Sequence, residues 1–323
     1  MLEMLCVINS GLELVKIINL DNSLKHDLGD LSSIYHDPIK EKTFILSDSN
    51  SGYFIRVNDK LPSLFNENLK EQKYLNSNKQ FLTDPLGIFS EKFDTEGFYL
   101  DEKYMYLLSE ISGEKSKSYI IKYDVNKNFI TKVKLINDSN EKYYSISEFE
   151  KNNLIILSKN ISQNKTQQRE LVKYKIVTKN LDDIYSGYIE TKGRINDFHK
   201  VKGTDIYLSL SEKKNHKNIG VYVLDDFKKN SNIVSYKYNF RLPLENKKQF
   251  TSLQGISMGP ILDEKYYSLL VVNDNNNKLL NSRNKVKKFV NKMKLNLFKI
   301  FKITNNHNSN IFIFRFKENS CLN

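Results

Sequence analysis

Tyr106-Leu107-Leu108-Ser109-Glu110 decides the fold, because the chain repeats its form: an apolar run, then Ser or Asn, then an acid. The same phrase reads Phe44-Ile45-Leu46-Ser47-Asp48, Tyr207-Leu208-Ser209-Leu210-Ser211-Glu212 and Leu270-Val271-Val272-Asn273-Asp274, while Leu154-Ile155-Ile156-Leu157-Ser158-Lys159 keeps the strand and replaces the acid by Lys. The steps between the final positions are 62, 49, 53 and 62 residues. One apolar strand per unit at such a period is the mark of radial repetition, in which each unit buries its faces only against its neighbours. That pattern predicts an all-β chain folded as a β-propeller.

Each unit carries further strands. Twelve to eighteen residues before the acids stand the openings Ser32-Ser33-Ile34, Glu96-Gly97-Phe98, Asn196-Asp197-Phe198 and Gln254-Gly255-Ile256. Tyr119-Ile120-Ile121-Lys122-Tyr123 and Val221-Tyr222-Val223-Leu224 alternate as half-buried strands do. Composition agrees: Tyr and Phe number 19 each and Ala is absent, which favours strands over helices. Five marked units in 323 residues leave length for one more, so six blades are expected, with five or seven as alternatives. The strand-like ends at 12–18 and 311–316 predict termini that meet in one blade, since an open ring would leave two unpaired edges.

No segment reaches the roughly 18 consecutive apolar residues of a membrane span. The first residues contain Glu3 and lack a basic region, a poor secretory signal. Cys6 and Cys321 are read as unpaired thiols, although an oxidising compartment would allow a disulfide.

Leu82-Thr83-Asp84-Pro85-Leu86, Asp94-Thr95-Glu96-Gly97-Phe98 and Gln254-Gly255-Ile256-Ser257-Met258-Gly259-Pro260 resemble the phytase-like family, also called esterase-like activity of phytase, over residues 31–316. The resemblance implies a phytase-like propeller domain over 12–318 and a metal-dependent hydrolase of small phosphate or carboxylate esters, with a non-catalytic propeller that binds a partner or an anionic membrane as the alternative; it would fit an exported protein, while the compartment is left open. Two departures bear on that chemistry: Gln254 stands where the family phrase has Glu, and Lys159 where an acid ends the strand.

The remaining acids divide by expected role. Glu96 and Glu110 are the candidate catalytic residues, because Gly97 permits close backbone approach. Asp48, Asp94, Glu212 and Asp274 are candidate ligands for Ca²⁺, a cation that takes six to eight oxygens. Clustered carboxylates also raise one another's pKa until one serves as a general acid. The plainer alternative is that each acid accepts backbone N–H bonds and fixes a turn. The five histidines show no metal-ligand spacing, and His36 beside Asp37 reads as a surface pair.

Residues 279–302 hold eight Lys or Arg and no acid, within a chain of net charge +12. At helical spacing Phe289, Leu297 and Phe301 fall on one face, with Lys285, Lys288 and Lys292 on the flanks. This inserted basic amphipathic helix is expected either to pack on the propeller or to dock on an anionic membrane. Nucleic acid is a poorer partner, since Arg283 is the only Arg among these charges. A monomer is expected.

Overall fold

A computed structural model describes residues 12–20, 31–47, 53–57, 77–84, 94–111, 117–136, 141–164, 169–213, 216–228, 233–243, 253–262, 266–273 and 310–316. Strand β1 (Leu12–Asn19) comes first. Blade 1 contains β2 (Leu31–Asp37), β3 (Lys42–Ser47), β4 (Tyr53–Val57) and β5 (Ser77–Phe81). Blade 2 contains β6 (Thr95–Leu100), β7 (Tyr104–Ile111), β8 (Lys117–Asp124) and β9 (Phe129–Ile136). Blade 3 contains β10 (Tyr143–Glu150), β11 (Asn153–Asn164), β12 (Arg169–Thr178) and β13 (Asp183–Thr191). Blade 4 contains β14 (Arg194–Lys200), β15 (Ile206–Lys213) and β16 (His216–Val223). After the short helix α1 (Leu224–Lys228), β17 (Ile233–Val234) runs parallel to β13 at the edge of blade 3, and β18 (Tyr238–Arg241) completes blade 4. Blade 5 contains β19 (Leu253–Leu262), β20 (Tyr266–Asn273) and β21 (Asn310–Phe316), with β1 as its outer strand.

The five copies of the repeated phrase are thus the second strands, β3, β7, β11, β15 and β20. They read as nearly continuous apolar runs because both of their faces are covered. Successive side chains point to opposite sides of a strand, so Leu107 joins the apolar cluster between blades 1 and 2 and Leu108 the one between blades 2 and 3. Ile155 likewise faces blade 4 while Ile156 faces blade 2. Leu269 packs with Leu208 of blade 4, and Leu270 with Ile45 of blade 1. Five clusters therefore join the blades in a closed cycle.

That cycle corrects the expected six blades to five. Every blade already has a neighbour on both faces, so no apolar surface is left for a sixth. The stretches 58–76, between β4 and β5, and 274–309, between β20 and β21, lie outside the described residues. Closure by the termini holds: β1 pairs antiparallel with β21, from Leu12 opposite Phe316 to Asn19 opposite Asn310. The basic segment 279–302, including Lys285, Lys288, Phe289, Lys292, Leu297 and Phe301, lies outside the described residues, as do Cys6 and Cys321. Among the described residues no helix is long and apolar enough to cross a membrane.

Candidate functional site

The inner strands β2, β6, β10, β14 and β19 share one irregularity. Each has a register shift at its second or third residue, which sets Ser32, Glu96, Tyr144, Asn196 and Gln254 at equivalent bulged positions. A bulge inserts one residue and re-aims its side chain. Here it falls at the same end of all five strands, which is the mouth of the channel.

The positions just past the bulges are small, apart from one: Ser33, Gly97, Ser145, Asp197 and Gly255. Backbones approach so closely there that a Cβ on Gly97 would stand 2.6 Å from the Tyr144 carbonyl oxygen, and one on Gly255 2.7 Å from the Ile34 nitrogen. Asp197 fills the space that the small residues leave. Its Oδ1 accepts from Ser145 Oγ at 2.7 Å and from its own neighbour's N–H, Phe198, at 2.8 Å. Oδ2 accepts from the Ile256 N–H at 2.9 Å and from Ser33 Oγ at 3.4 Å. Burial pushes the Asp197 carboxyl up to about 6, while these four donors pull the other way.

Above this plug lies a charged cluster. Glu96 is pushed up to about 8, first by burial and then by Asp94, with Lys159 and Arg194 opposing. Lys159 is pulled down to about 8, by burial and by Arg194. Its ammonium lies 3.7 Å from the centre of the Tyr144 ring, which the Arg194 guanidinium also approaches at 5.3 Å. Burial and Glu110 raise the Asp94 carboxyl. Glu110 is itself gripped by Lys142, which precedes β10. On blade 4, Glu212 contacts Lys217 and lies 3.5 Å from Asn196 Nδ2, whose stronger bond goes to the Leu253 carbonyl at 2.6 Å.

Asp94, Glu96 and Glu110 are therefore brought together, and Glu212 stands on the far side of Arg194. Asp48 and Asp274 lie outside the described residues. Cations are interleaved with these acids, and among the described residues no three His, Cys, Asp or Glu side chains group as metal ligands. The described part of the mouth is a mesh of opposite charges. Lys159 has a physical reason to depart from the repeat: an acid there would put a fourth carboxylate beside Asp94, Glu96 and Glu110. Three buried polar atoms at this end, Ser32 Oγ, Arg194 Nε and Asn196 Oδ1, have no hydrogen-bond partner among the described residues.

The plug role of Asp197 has one signal in the sequence: a charged residue in a slot held elsewhere by Gly or Ser. Arg194 and Lys142 lie outside the repeated phrases and gave none. The His36–Asp37 pair, expected at the surface, is buried, at 3% and 5% exposure. His36 Nδ1 lies 3.2 Å from Thr43 Oγ1, and Asp37 Oδ1 accepts the N–H groups of Ile39 and Lys40 at 2.9 and 3.1 Å. Asp101 and Asp124 fix hairpin turns in the same way.

Five sheets around an occluded channel with a charged mouth define a five-bladed β-propeller. No protein-family model matches the chain, and no curated protein matches it. Solved structures similar to it include Kuenenia stuttgartiensis hydrazine synthase, at TM-score 0.42 and 11% identity, covering 77% of this chain. This chain spans 58% of that one. A luciferin-regenerating enzyme is similar at TM-score 0.41 and 7% identity, covering 93% of this chain and 94% of its own. The protein U3-55K is similar at TM-score 0.40 and 8% identity, covering 81% and 82% respectively.

Proposed function

We propose that the channel mouth binds a small ester, of a carboxylic or phosphoric acid, and hydrolyses it with Glu96 as the general acid. The observation that carries this reading is the grouping of the half-buried Glu96 with Asp94 and Glu110 at one end of the inner strands, an arrangement that pushes the Glu96 carboxyl up to about 8. An acid of that pKa is matched to proton transfer at physiological pH. Lys159 and Arg194 supply fixed positive charge for an oxyanion developing nearby. Water adds to the acyl carbon or phosphorus, the bond to the leaving oxygen breaks, and that oxygen takes the Glu96 proton. The product acid then returns a proton to the carboxylate. The resemblance to the phytase-like family agrees with this reaction class.

The test is hydrolysis of p-nitrophenyl acetate and p-nitrophenyl phosphate by the wild type and by Glu96→Gln. Loss of at least about 100-fold in the variant, the size expected of a general acid, supports the proposal. Equal rates, or no hydrolysis by the wild type, overturn it. A second reading is favoured by Lys159 and Gln254 in place of acids: a non-catalytic propeller that keeps the charged mouth to bind a partner or an anionic membrane. A catalytically silent wild type is the outcome that selects it.

A further inference from the structure

The opposite end of the channel opens into a separate cavity of about 860 Å³, within the range of small-ligand sites. Asp197 and the small residues around it stand between this cavity and the mouth. The walls come from the finishing ends of the inner strands and from the hairpins that follow them. The hairpin after each of four successive inner strands delivers one lysine to the rim: Lys40, Lys103, Lys151 and Lys202. Deeper in, Lys179 Nζ lies 3.5 Å from Asp101 and 3.6 Å from Glu148, and Lys200 Nζ lies 3.7 Å from Glu148. With Lys122, seven lysines face four carboxylates, Asp37, Asp101, Glu102 and Glu148. A concave, partly desolvated wall concentrates such an excess of one sign.

One side of the cavity is aromatic. Tyr35 and Tyr99 meet edge to face at 6.4 Å, Tyr99 stacks on Tyr106 at 6.2 Å, and Tyr104 continues the row at 6.5 Å. Tyr99 also donates its hydroxyl to Glu148 at 3.1 Å. Tyrosine faces suit a flat or ring-shaped group, and ammonium groups suit a phosphate.

We propose that this cavity is a binding site for a small phosphorylated molecule that carries a ring, with the ring against the tyrosine row and the phosphate among Lys179, Lys200 and the rim lysines. Glu148 pairs with Lys179 and Lys200 and competes with the ligand for them. This assignment does not depend on the chemistry of the mouth.

Phenylphosphonate, a non-hydrolysable ring-bearing phosphate analogue, serves as the probe, with benzyl alcohol and inorganic phosphate as half-probes, and Kd is read by ligand-detected NMR on the full chain. Phenylphosphonate is expected to bind at least ten-fold more tightly than either half-probe. Lys200→Met should raise its Kd at least five-fold, and Lys151→Met on the exposed hairpin tests the same point should the first variant not fold. Glu148→Gln should lower the Kd by removing the carboxylate that Lys179 and Lys200 share, leaving Lys179 paired only with Asp101. Phenylphosphonate binding no tighter than benzyl alcohol, a Kd raised by Glu148→Gln, or a Kd indifferent to both lysine variants would each overturn the assignment.

Discussion

Ser33 donates to Asp197 across the channel at 3.4 Å, although the two are 164 residues apart in sequence. Their strands, β2 and β14, are not neighbours in the ring, because β19 stands between them on one side and β6 and β10 on the other. With Ser145 of blade 3 and the Ile256 N–H of blade 5 on the same carboxylate, one side chain ties four blades together and closes the channel.

Removing that carboxylate should therefore be costly. Asp197→Ala takes the acceptor from the Ser33 hydroxyl and the Ile256 N–H, whereas the Phe198 N–H keeps Ser145 Oγ at 2.7 Å and Ser145 keeps the Phe198 carbonyl at 3.3 Å; a buried orphan costs roughly 1–3 kcal/mol each before relaxation. We expect a loss of about 3–5 kcal/mol in urea unfolding, at the upper end of single substitutions. A loss below about 1 kcal/mol would show that the plug is not structural.

The same variant should change the response to acid. His36 and His199 are pulled down to about 4, mainly by burial. They contribute stability above the ordinary histidine value near 6.5, and that contribution is lost as pH falls through 4. Asp197, raised to about 6, acts in the opposite sense: its contribution is full below the ordinary carboxylate value and is lost as pH rises through 6. Between pH 6.5 and 4 the two effects oppose, so Asp197→Ala should lose stability more steeply than wild type on acidification. Urea midpoints at pH 7, 5.5 and 4.5 measure the difference in slope.

Gly97 and Gly203 offer a controlled comparison. A methyl group on Gly97 meets the Tyr144 carbonyl oxygen at 2.6 Å, whereas Gly203 has φ +77° and nothing within 4 Å. Gly203→Ala should cost about 1–2 kcal/mol of left-handed strain. Gly97→Ala forces two inner strands apart and should cost more, about 3 kcal/mol or above. Thermal unfolding of the two variants side by side checks the order.

For the proposed hydrolysis, activity should hold below pH 8 and fall as pH rises through about 8, where Glu96 gives up its proton. Lys159 lowers that pKa, so Lys159→Met should move the falling limb to higher pH while reducing the rate. A limb that stays in place in the variant would remove Glu96 from the role.

The basic segment 279–302 yields a prediction from sequence alone. The protein should sediment with anionic liposomes and much less with neutral ones, and salt should weaken the binding. Replacing Phe289, Leu297 and Phe301 by Ser should weaken it too, by removing apolar burial worth roughly 1.5–3 kcal/mol per side chain. Unfolding of that triple variant would instead place the segment in the propeller's own packing.

Much of the ring was legible. The second strands were readable because both faces are buried, which gives β3, β7, β11, β15 and β20 their shared apolar run, and the strand-like ends announced the pairing of β1 with β21. The blade number was not legible from length, because residues between strands and residues of a further blade add to length alike. Asp94, Glu96 and Glu110 were readable as a group through their repeat positions and Gly97. Lys159 was readable as a departure from the repeat, but Lys142 of blade 3 and Arg194 of blade 4 were not, since ion pairing across blades leaves no spacing in the chain.

By itself, then, the sequence determined the all-β class, the radial repeat and the acids at the strand ends, because burial on two faces and period-two alternation act within a single strand. Tertiary structure alone decided the five-fold closure, the meeting of Asp197 with Ser33, Ser145 and Ile256, and the sharing of charge at the mouth. Each of these depends on groups tens to hundreds of residues apart, and only the curvature of the packed blades sets the distances between them.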